Sequence, residues 1–500
     1  MVPFIRKQQS KQPDRQYTTG ITYYVSRIRR HASPTRSPLA LGLLAGLTAV
    51  LGGIVLAYGG PLAGLAVLLA GVGAFVVLRN LEMGFWGVIG VVCLLPFATL
   101  PVDIGLTPTF LDVALGAVAG IWLLRIVTGQ QRRVITAPVT VPLVIFMIVA
   151  IFAFIFGLGN GPLTPTLLRK FAELILSLGF VLVIVDYCRN WPRLERLVKV
   201  VLLAGAGAAL IAIALWLLPE DTTNTLLNAL QRLGYPGGWV IRYIEENPEL
   251  SERAIGTSVD PNVLGGLLLM IGALAGPQLV ARRPLLPRWL TVVVIGLLFV
   301  CLILTFSRGA MFGLAAGLGF VAVARYRRLL PYMVVAGLLV LLLPVTQGYV
   351  LRFVEGVQGQ DLATQMRFGE YRDALRLIQR YPLFGVGFAG TPDIDIYLGV
   401  ASVYLTIAQV MGLVGLTAFL VVMAVVFGYA FFNRHWFRGN EQTDAVWLGL
   451  HAALIGGLAA GLFDHYLFNL EFHHAVTAFW LLVGLATAAT RLGAQKNALR

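Results

Sequence analysis

The chain has 500 residues, of which 58% are hydrophobic and 12% charged, with a formal net charge of +14 and a mean hydropathy of +0.81. A water-soluble domain cannot hide that much apolar surface, so the composition excludes a soluble globular protein and defines a polytopic membrane protein. No Walker loop, zinc spacing, Ser-His-Asp order or basic stripe with interleaved aromatics is present, which argues against nucleotide-driven chemistry and against a nucleic-acid partner.

Residues 1–38 are basic and polar, without the apolar core of a signal peptide, and read as a cytoplasmic tail. Its Tyr- and Arg-rich end, Tyr23 to Arg30, suits either an anionic lipid surface or a plain positive flank. A span needs roughly 20 apolar residues. That rule predicts N-terminal spans across 39–218, near 39–58, 61–79, 83–101, 110–128, 138–158, 167–186 and 196–218. A first external loop follows at 219–260. Central spans cover 261–346, near 261–281, 289–306, 308–325 and 329–346. A large external loop fills 347–401, and the last spans, across 402–491, lie near 402–431, 444–463 and 471–491, before a tail at 492–500. The fold class expected is an all-α polytopic bundle of about 12–14 transmembrane helices, because backbone exposed to lipid must satisfy its own hydrogen bonds. Cys93, Cys188 and Cys301 lie in or beside apolar runs, so no disulfide framework is expected.

Lys and Arg set the orientation. With the N-terminus inside, most of the 38 basic residues fall in short cytoplasmic segments and most of the 24 acids fall outside. The outer exceptions include Arg169, Lys170, Arg242, Arg253, Arg308 and the arginines of 347–401. Two long outer loops above a helical bundle predict a lid over a cavity between helices.

Three motifs carry the exceptions. In TFSRGAMFGL, Arg308 falls between two apolar runs, at the start of a predicted span. Free N–H groups and the helix dipole favour anions there, although an arginine snorkelling to headgroups fits the same position. In RFGEYRDALRLIQRYPLFGVGFAG, Phe368, Tyr371, Leu375 and Ile378 recur at helical spacing, predicting an amphipathic helix over 364–381 that Pro382 ends. Arg372, Arg376 and Arg380 form a stripe that Asp373 and Glu370 can offset locally. In RAIGTSVDPNVLGG, Asp260-Pro261-Asn262 is a helix-start signal in which Asp260 serves as cap and Asn262 remains available to a sugar.

Taken in order, R..G…DPN..G, SRGAMFGL and R…E…AL…I…PLFGVG resemble the bacterial O-antigen ligase and polysaccharide polymerase (Wzy-type) superfamily, over roughly residues 250 to 430. The resemblance implies a GT-C-type membrane glycosyltransferase. Such an enzyme moves a glycan from undecaprenyl pyrophosphate to an acceptor glycan, lipid or protein hydroxyl on the outer face of the bacterial inner membrane, with no cofactor and no metal. It also implies that Arg308 and Arg367 contact the donor pyrophosphate; Arg253, Asn262, Arg376 and Tyr404 are further candidate substrate contacts in this chain. One departure is plain. Where the family commonly has a histidine before a Tyr-Leu pair, this chain has Ala401 and Ser402 ahead of Tyr404 and Leu405.

An acceptor hydroxyl is a poor nucleophile, and a positioned base contributes ~10²–10⁴-fold. The outer candidates are Glu370, Asp393, Asp395, Asp464, His465, His473 and His474. His465 follows Asp464 in GLFDHYLFNLEFHH, an arrangement that supplies base and orienter or an ordinary interfacial loop. Asp393 and Asp395 form a short DxD pattern, for which metal binding is the lesser reading. A transporter or flippase of lipid-linked oligosaccharide or a small anion is the rival function. It should show paired repeats and mid-span polar residues; no clear internal repeat is evident, and Arg308 and Arg367 fall at one face instead of the midplane.

Overall fold

A computed structural model describes residues 79–100, 105, 107–131, 133–342, 358, 362–392, 399–437 and 441–498, together with Gly73 and Val77. The tail at 1–38, the span near 39–58 and most of that near 61–79 lie outside the described residues, as do Arg352, Asp393 and Asp395.

Helices dominate, as the hydropathy requires. In chain order they are α1 (Leu81–Leu94), α2 (Phe110–Val127), α3 (Thr140–Gly157), α4 (Pro165–Tyr187), α5 (Trp191–Leu217), the short α6 (Glu220–Ala229), α7 (Pro261–Val280), α8 (Arg288–Leu304), α9 (Arg308–Ala324), α10 (Leu329–Leu342), α11 (Leu362–Arg380), α12 (Val403–Asn433), α13 (Glu441–Ala460) and α14 (His473–Ala498). Among the described residues, seven helical segments are long and apolar enough to cross a membrane, and α1, α8, α9 and α10 are shorter apolar helices. The fold is an all-α polytopic membrane protein. Local signals place the helix ends. Thr109 and Asp112 close a reciprocal capping box on α2, and Asp260 accepts from the N–H groups of Asn262 and Val263 at 2.8 and 2.9 Å to start α7.

Small residues set how closely the helices pack. A Cβ on Gly313 of α9 would sit 2.5 Å from the Gly456 carbonyl of α13, and one on Gly449 of α13 would sit 2.5 Å from the Leu274 carbonyl of α7. These three helices therefore meet backbone to backbone, which lipid-embedded bundles use in place of a hydrophobic driving force. The spanning window of α14 is entirely buried, and Ser177 of α4 and Thr477 of α14 share a hydrogen bond of 2.8 Å.

The two ends of the bundle differ. At one end, Arg196 holds Glu82 bidentately at 2.5 and 2.8 Å while Tyr187 donates to the same carboxylate, and Arg325 pairs with Asp444 at 3.0 Å. At the other end lie the two long loops. The loop at 219–260 folds into α6 and a two-stranded antiparallel ribbon, β1 (Arg242–Tyr243) and β2 (Glu252–Arg253), in the register Arg242↔Arg253. Trp216 Nε1 donates to the Glu252 carbonyl at 3.2 Å and the Ala254 N–H to the Leu304 carbonyl at 2.8 Å, fastening the ribbon to α5 and α8.

This ribbon carries a pH dependence. Burial, reinforced by the charge of Glu220, pushes the Glu252 carboxyl from its ordinary 4.5 up to about 7. A carboxyl whose pKa is higher folded than unfolded contributes stability at low pH that is lost as pH rises through the folded value. The 219–260 loop is therefore expected to exchange its amides faster above pH 7 than below pH 6, after correction for intrinsic rates, and Glu252→Gln should flatten that difference. The same pH step in the variant as in the native chain removes Glu252 as its cause.

Candidate functional site

The site is built around a break in α12. Its apolar run is continuous in sequence, yet Gly412 has φ 66° and ψ −172°, a conformation open essentially to glycine alone. The break frees carbonyls before it and N–H groups after it, and the PLFGVG segment fills both. The N–H groups of Val386 and Gly387 donate to the carbonyls of Gln409 and Val410 at 2.8 and 3.0 Å, and those of Leu413 and Val414 donate to the carbonyls of Pro382 and Leu383 at 2.7 and 3.2 Å. Gly387, at φ 80°, also lies against Gly157 of α3, where a Cβ on Gly157 would approach the Gly387 Cα to 2.6 Å. Asn160 Nδ2 donates to the Val386 carbonyl at 2.8 Å. The loop motif is thus the hydrogen-bonding complement of a helix interruption, which holds the chain leaving α11 against α12. Gly412→Ala should cost about 1–3 kcal/mol from backbone strain alone and release the loop. The measurements are a lowered melting temperature and faster proteolysis at 383–387, and a melting temperature and cleavage rate equal to the native chain's contradict the coupling.

Above the break lies a cavity of about 730 Å³. Its wall includes Arg367 and Glu370 from α11, Ala401, Thr406 and Gln409 from the start of α12, Asn262 from the start of α7, Asp464 and His465 from the loop after α13, and Lys170 and Glu471 opposite them. Tyr371 donates to the carbonyls of Ala401 and Leu462 at 3.0 and 3.1 Å, and the Ala401 N–H donates to Glu370 Oε2 at 2.9 Å. These bonds dock α11 onto the rim. Among the described residues the loop at 219–260 contributes nothing to this wall and acts by bracing it. Arg253 Nε donates to the Thr305 carbonyl at 2.8 Å and its Nη2 to Asn262 Oδ1 at 2.8 Å, tying the ribbon, the turn before α9 and the start of α7 together.

The face that α11 buries differs in part from the expected stripe, of which Tyr371 and Ile378 are half-buried but Phe368 and Leu375 are not. Phe368 and Leu375 are 58% and 50% exposed, while Ala374 and Leu377 are buried and Arg367, Glu370 and Tyr371 half-buried. The helix has two apolar stripes, and hydrogen bonds from Tyr371 and Glu370 decide which one faces the bundle. The other, with Met366 and Leu383, stays on the outside, where acyl chains can cover it.

The residues singled out from sequence thus fall into three groups. Arg367, Glu370, Asn262 and His465 share the cavity wall. Arg308 opens α9 beside it, with Gly309 next to Phe463, one residue before Asp464. Arg253 reaches the wall through Asn262. Arg376 and Tyr404 stand apart from it. Arg376 is exposed and pairs with Asp373 at 3.1 Å. Tyr404 donates to the Leu458 carbonyl of α13 at 2.8 Å. Of the other histidines, His473 turns to the Pro96 carbonyl at 3.1 Å, and His474 packs edge-on to Phe97 and Phe472.

His465 has the electrostatics of a proton acceptor held by a carboxylate. Its Nδ1 lies 3.3 Å from Asp464 Oδ1, and the same oxygen accepts the His465 N–H at 2.8 Å. Burial lowers the imidazole's pKa, but Asp464 first, then Glu370 and Asp260, outweigh it and hold the value above the ordinary 6.5. Three carboxylates therefore converge on one imidazole, while Arg253 acts on Asp260 and Arg367 on the neighbouring Tyr371.

Two members of the wall escaped the sequence reading as site residues. Gln409 is 1% exposed, sits in an apolar run, and its Nε2 has no hydrogen-bond partner although the side chain lines the cavity. Only the break at Gly412, invisible in a hydropathy profile, brings it there. Lys170 was noted as an outer cation. Its place opposite Arg367, paired with Glu471 at 2.5 Å, depends on a contact 301 positions away.

Fold and site together define a multi-pass membrane protein with a charged cavity at one end, bordered by an amphipathic helix and the glycine loop docked below it. Residues 293–420 match the family model described as O-Antigen ligase (Wzy_C), a match that supports the O-antigen ligase/Wzy-type superfamily and a membrane enzyme of ligase or polymerase type. The matched stretch runs from α8 past the α12 break, and so carries Arg308, Arg367, Glu370, Ala401 and Gln409. A comparison with curated proteins gives no match.

Proposed function

We propose that this cavity transfers a glycan from undecaprenyl pyrophosphate to an acceptor hydroxyl on the external face of the inner membrane, as a metal-independent GT-C-type glycosyltransferase. The observation that carries the reading is the sharing of one wall by Arg367, Glu370 and an Asp464–His465 pair, at the place where Ala401 stands for the family's histidine. Ala401 and His465 line the same cavity, so a base can be supplied from the loop after α13 instead of the start of α12.

The roles follow from charge. His465 takes the acceptor's hydroxyl proton, with Asp464 orienting the ring and stabilising the imidazolium. The acceptor oxygen bonds to the anomeric carbon as the bond from that carbon to the phosphate oxygen breaks, and the electron pair leaves with the diphosphate. Arg367, with Arg308 at the N-terminus of α9, meets the developing negative charge. Glu370 is already engaged by the Ala401 N–H and holds the rim. Asn262, steadied by Arg253, and Gln409 supply donors for sugar hydroxyls or phosphate oxygens. Because guanidinium groups take the role a divalent cation would otherwise have, transfer should be unchanged in EDTA.

The test is reconstitution of the purified protein with a polyprenyl-pyrophosphate glycan and an acceptor, in EDTA. Product with release of undecaprenyl pyrophosphate supports the proposal. Movement of the donor across the bilayer without any new glycosidic bond identifies a flippase instead. Activity lost in EDTA and restored by a divalent ion would bring Asp393 and Asp395 into the mechanism.

A further inference from the structure

At the end of the bundle away from the proposed transfer site lies a second cavity of about 830 Å³, between the end of α7 and the starts of α8 and α10. Its lining has two characters. Val292, Pro331 and Val335 make an apolar wall, and Arg288, Arg328 and Gln278 supply polar groups. Arg288 and Arg328 are exposed, and neither has an acidic partner among the described residues. Gln278 is only 3% exposed. Its Oε1 accepts the Leu285 N–H at 3.0 Å, but its Nε2, although buried, has no partner.

We infer that this cavity binds the phosphate of an anionic glycerophospholipid, with an acyl chain along the apolar wall. Three independent features point the same way. Two guanidinium groups face a cavity without a carboxylate to offset them, and an amide donor is left unsatisfied beside them, which costs free energy unless an acceptor arrives. The first turn of α8 begins at Arg288, so its free N–H groups favour the same charge. Depth is set by Trp289, 69% exposed, and Tyr332, 55% exposed, large amphipathic rings of the kind that settle at headgroup level. A soluble anion would satisfy the arginines but leave the apolar wall and the exposed rings uncovered, so a lipid is the occupant that fits the whole lining.

The experiment uses the full-length protein in a neutral detergent, titrated with a fluorescent short-chain phosphatidylglycerol. Unlabelled phosphatidylglycerol should compete, whereas phosphatidylcholine and inorganic phosphate at the same concentration should not. Arg288→Gln with Arg328→Gln, two exposed positions that do not support the core, should weaken binding by about tenfold or more. Gln278→Leu should weaken it less. Native affinity in the double variant overturns the proposal. Equal competition by phosphatidylcholine reduces the cavity to an apolar groove, and equal competition by inorganic phosphate reduces it to a free-anion site, so either result also overturns it.

Discussion

Arg367→Ala is expected to lower glycan transfer by about 10²–10³-fold, the loss typical when one preorganised charge-stabilising group is removed from a poorly hydrated site. The side chain belongs to the half-buried face of α11, on the cavity wall, and the bonds that seat the helix come from Tyr371 and Glu370. Removing the guanidinium should therefore leave α11 docked, with native melting temperature and membrane insertion. Arg308→Ala should behave alike, since it takes a cation from the first turn of α9 beside the same rim. Arg376→Ala is the control. Its side chain is exposed and satisfied by Asp373, so activity should change by no more than about twofold, as for surface ion pairs generally. The comparison is made with purified proteins at saturating acceptor, following release of undecaprenyl pyrophosphate. Full transfer by the Arg367 variant would end the diphosphate assignment.

His465→Gln is expected to lower turnover by about 10²–10⁴-fold while changing donor affinity little, because a base acts on the acceptor proton and touches the donor only in the transition state. The pH profile gives a second reading. The folded-state pKa of His465 lies above 6.5, so its protonated form is favoured by folding. The stability this contributes is complete below 6.5 and is lost as pH rises through the raised value. The rate runs the other way, since only the neutral ring can accept a proton. Native turnover should climb through the raised pKa, and the Gln variant should show no such climb. An unaltered pH profile in the variant would assign the proton to another group, Asp464 and Glu370 being the acids of this wall that face His465.

Much of the architecture can be read along the chain because its causes are local. Each span predicted from residue 83 onward within the described residues corresponds to a helix, since some 20 apolar residues in lipid have no other way to satisfy their backbone. The start of α7 follows from Asp260-Pro261, and the end of α11 from Pro382, for equally local reasons. That Arg308 opens a helix was legible from the polar interruption between two apolar runs.

What the sequence determined by itself was the class of protein, the order of its long apolar helices, and a short set of candidate charged residues between them. Hydropathy and the stereochemistry of proline and glycine act within a few residues, and a single chain displays them. The tertiary structure alone decided which of two apolar stripes α11 buries, that α12 breaks at Gly412 to receive PLFGVG, and that Gln409, Lys170 and His465 stand around one cavity with Arg367. Those outcomes depend on hydrogen bonds and backbone contacts between segments tens to hundreds of residues apart, which no pattern confined to one helix can encode.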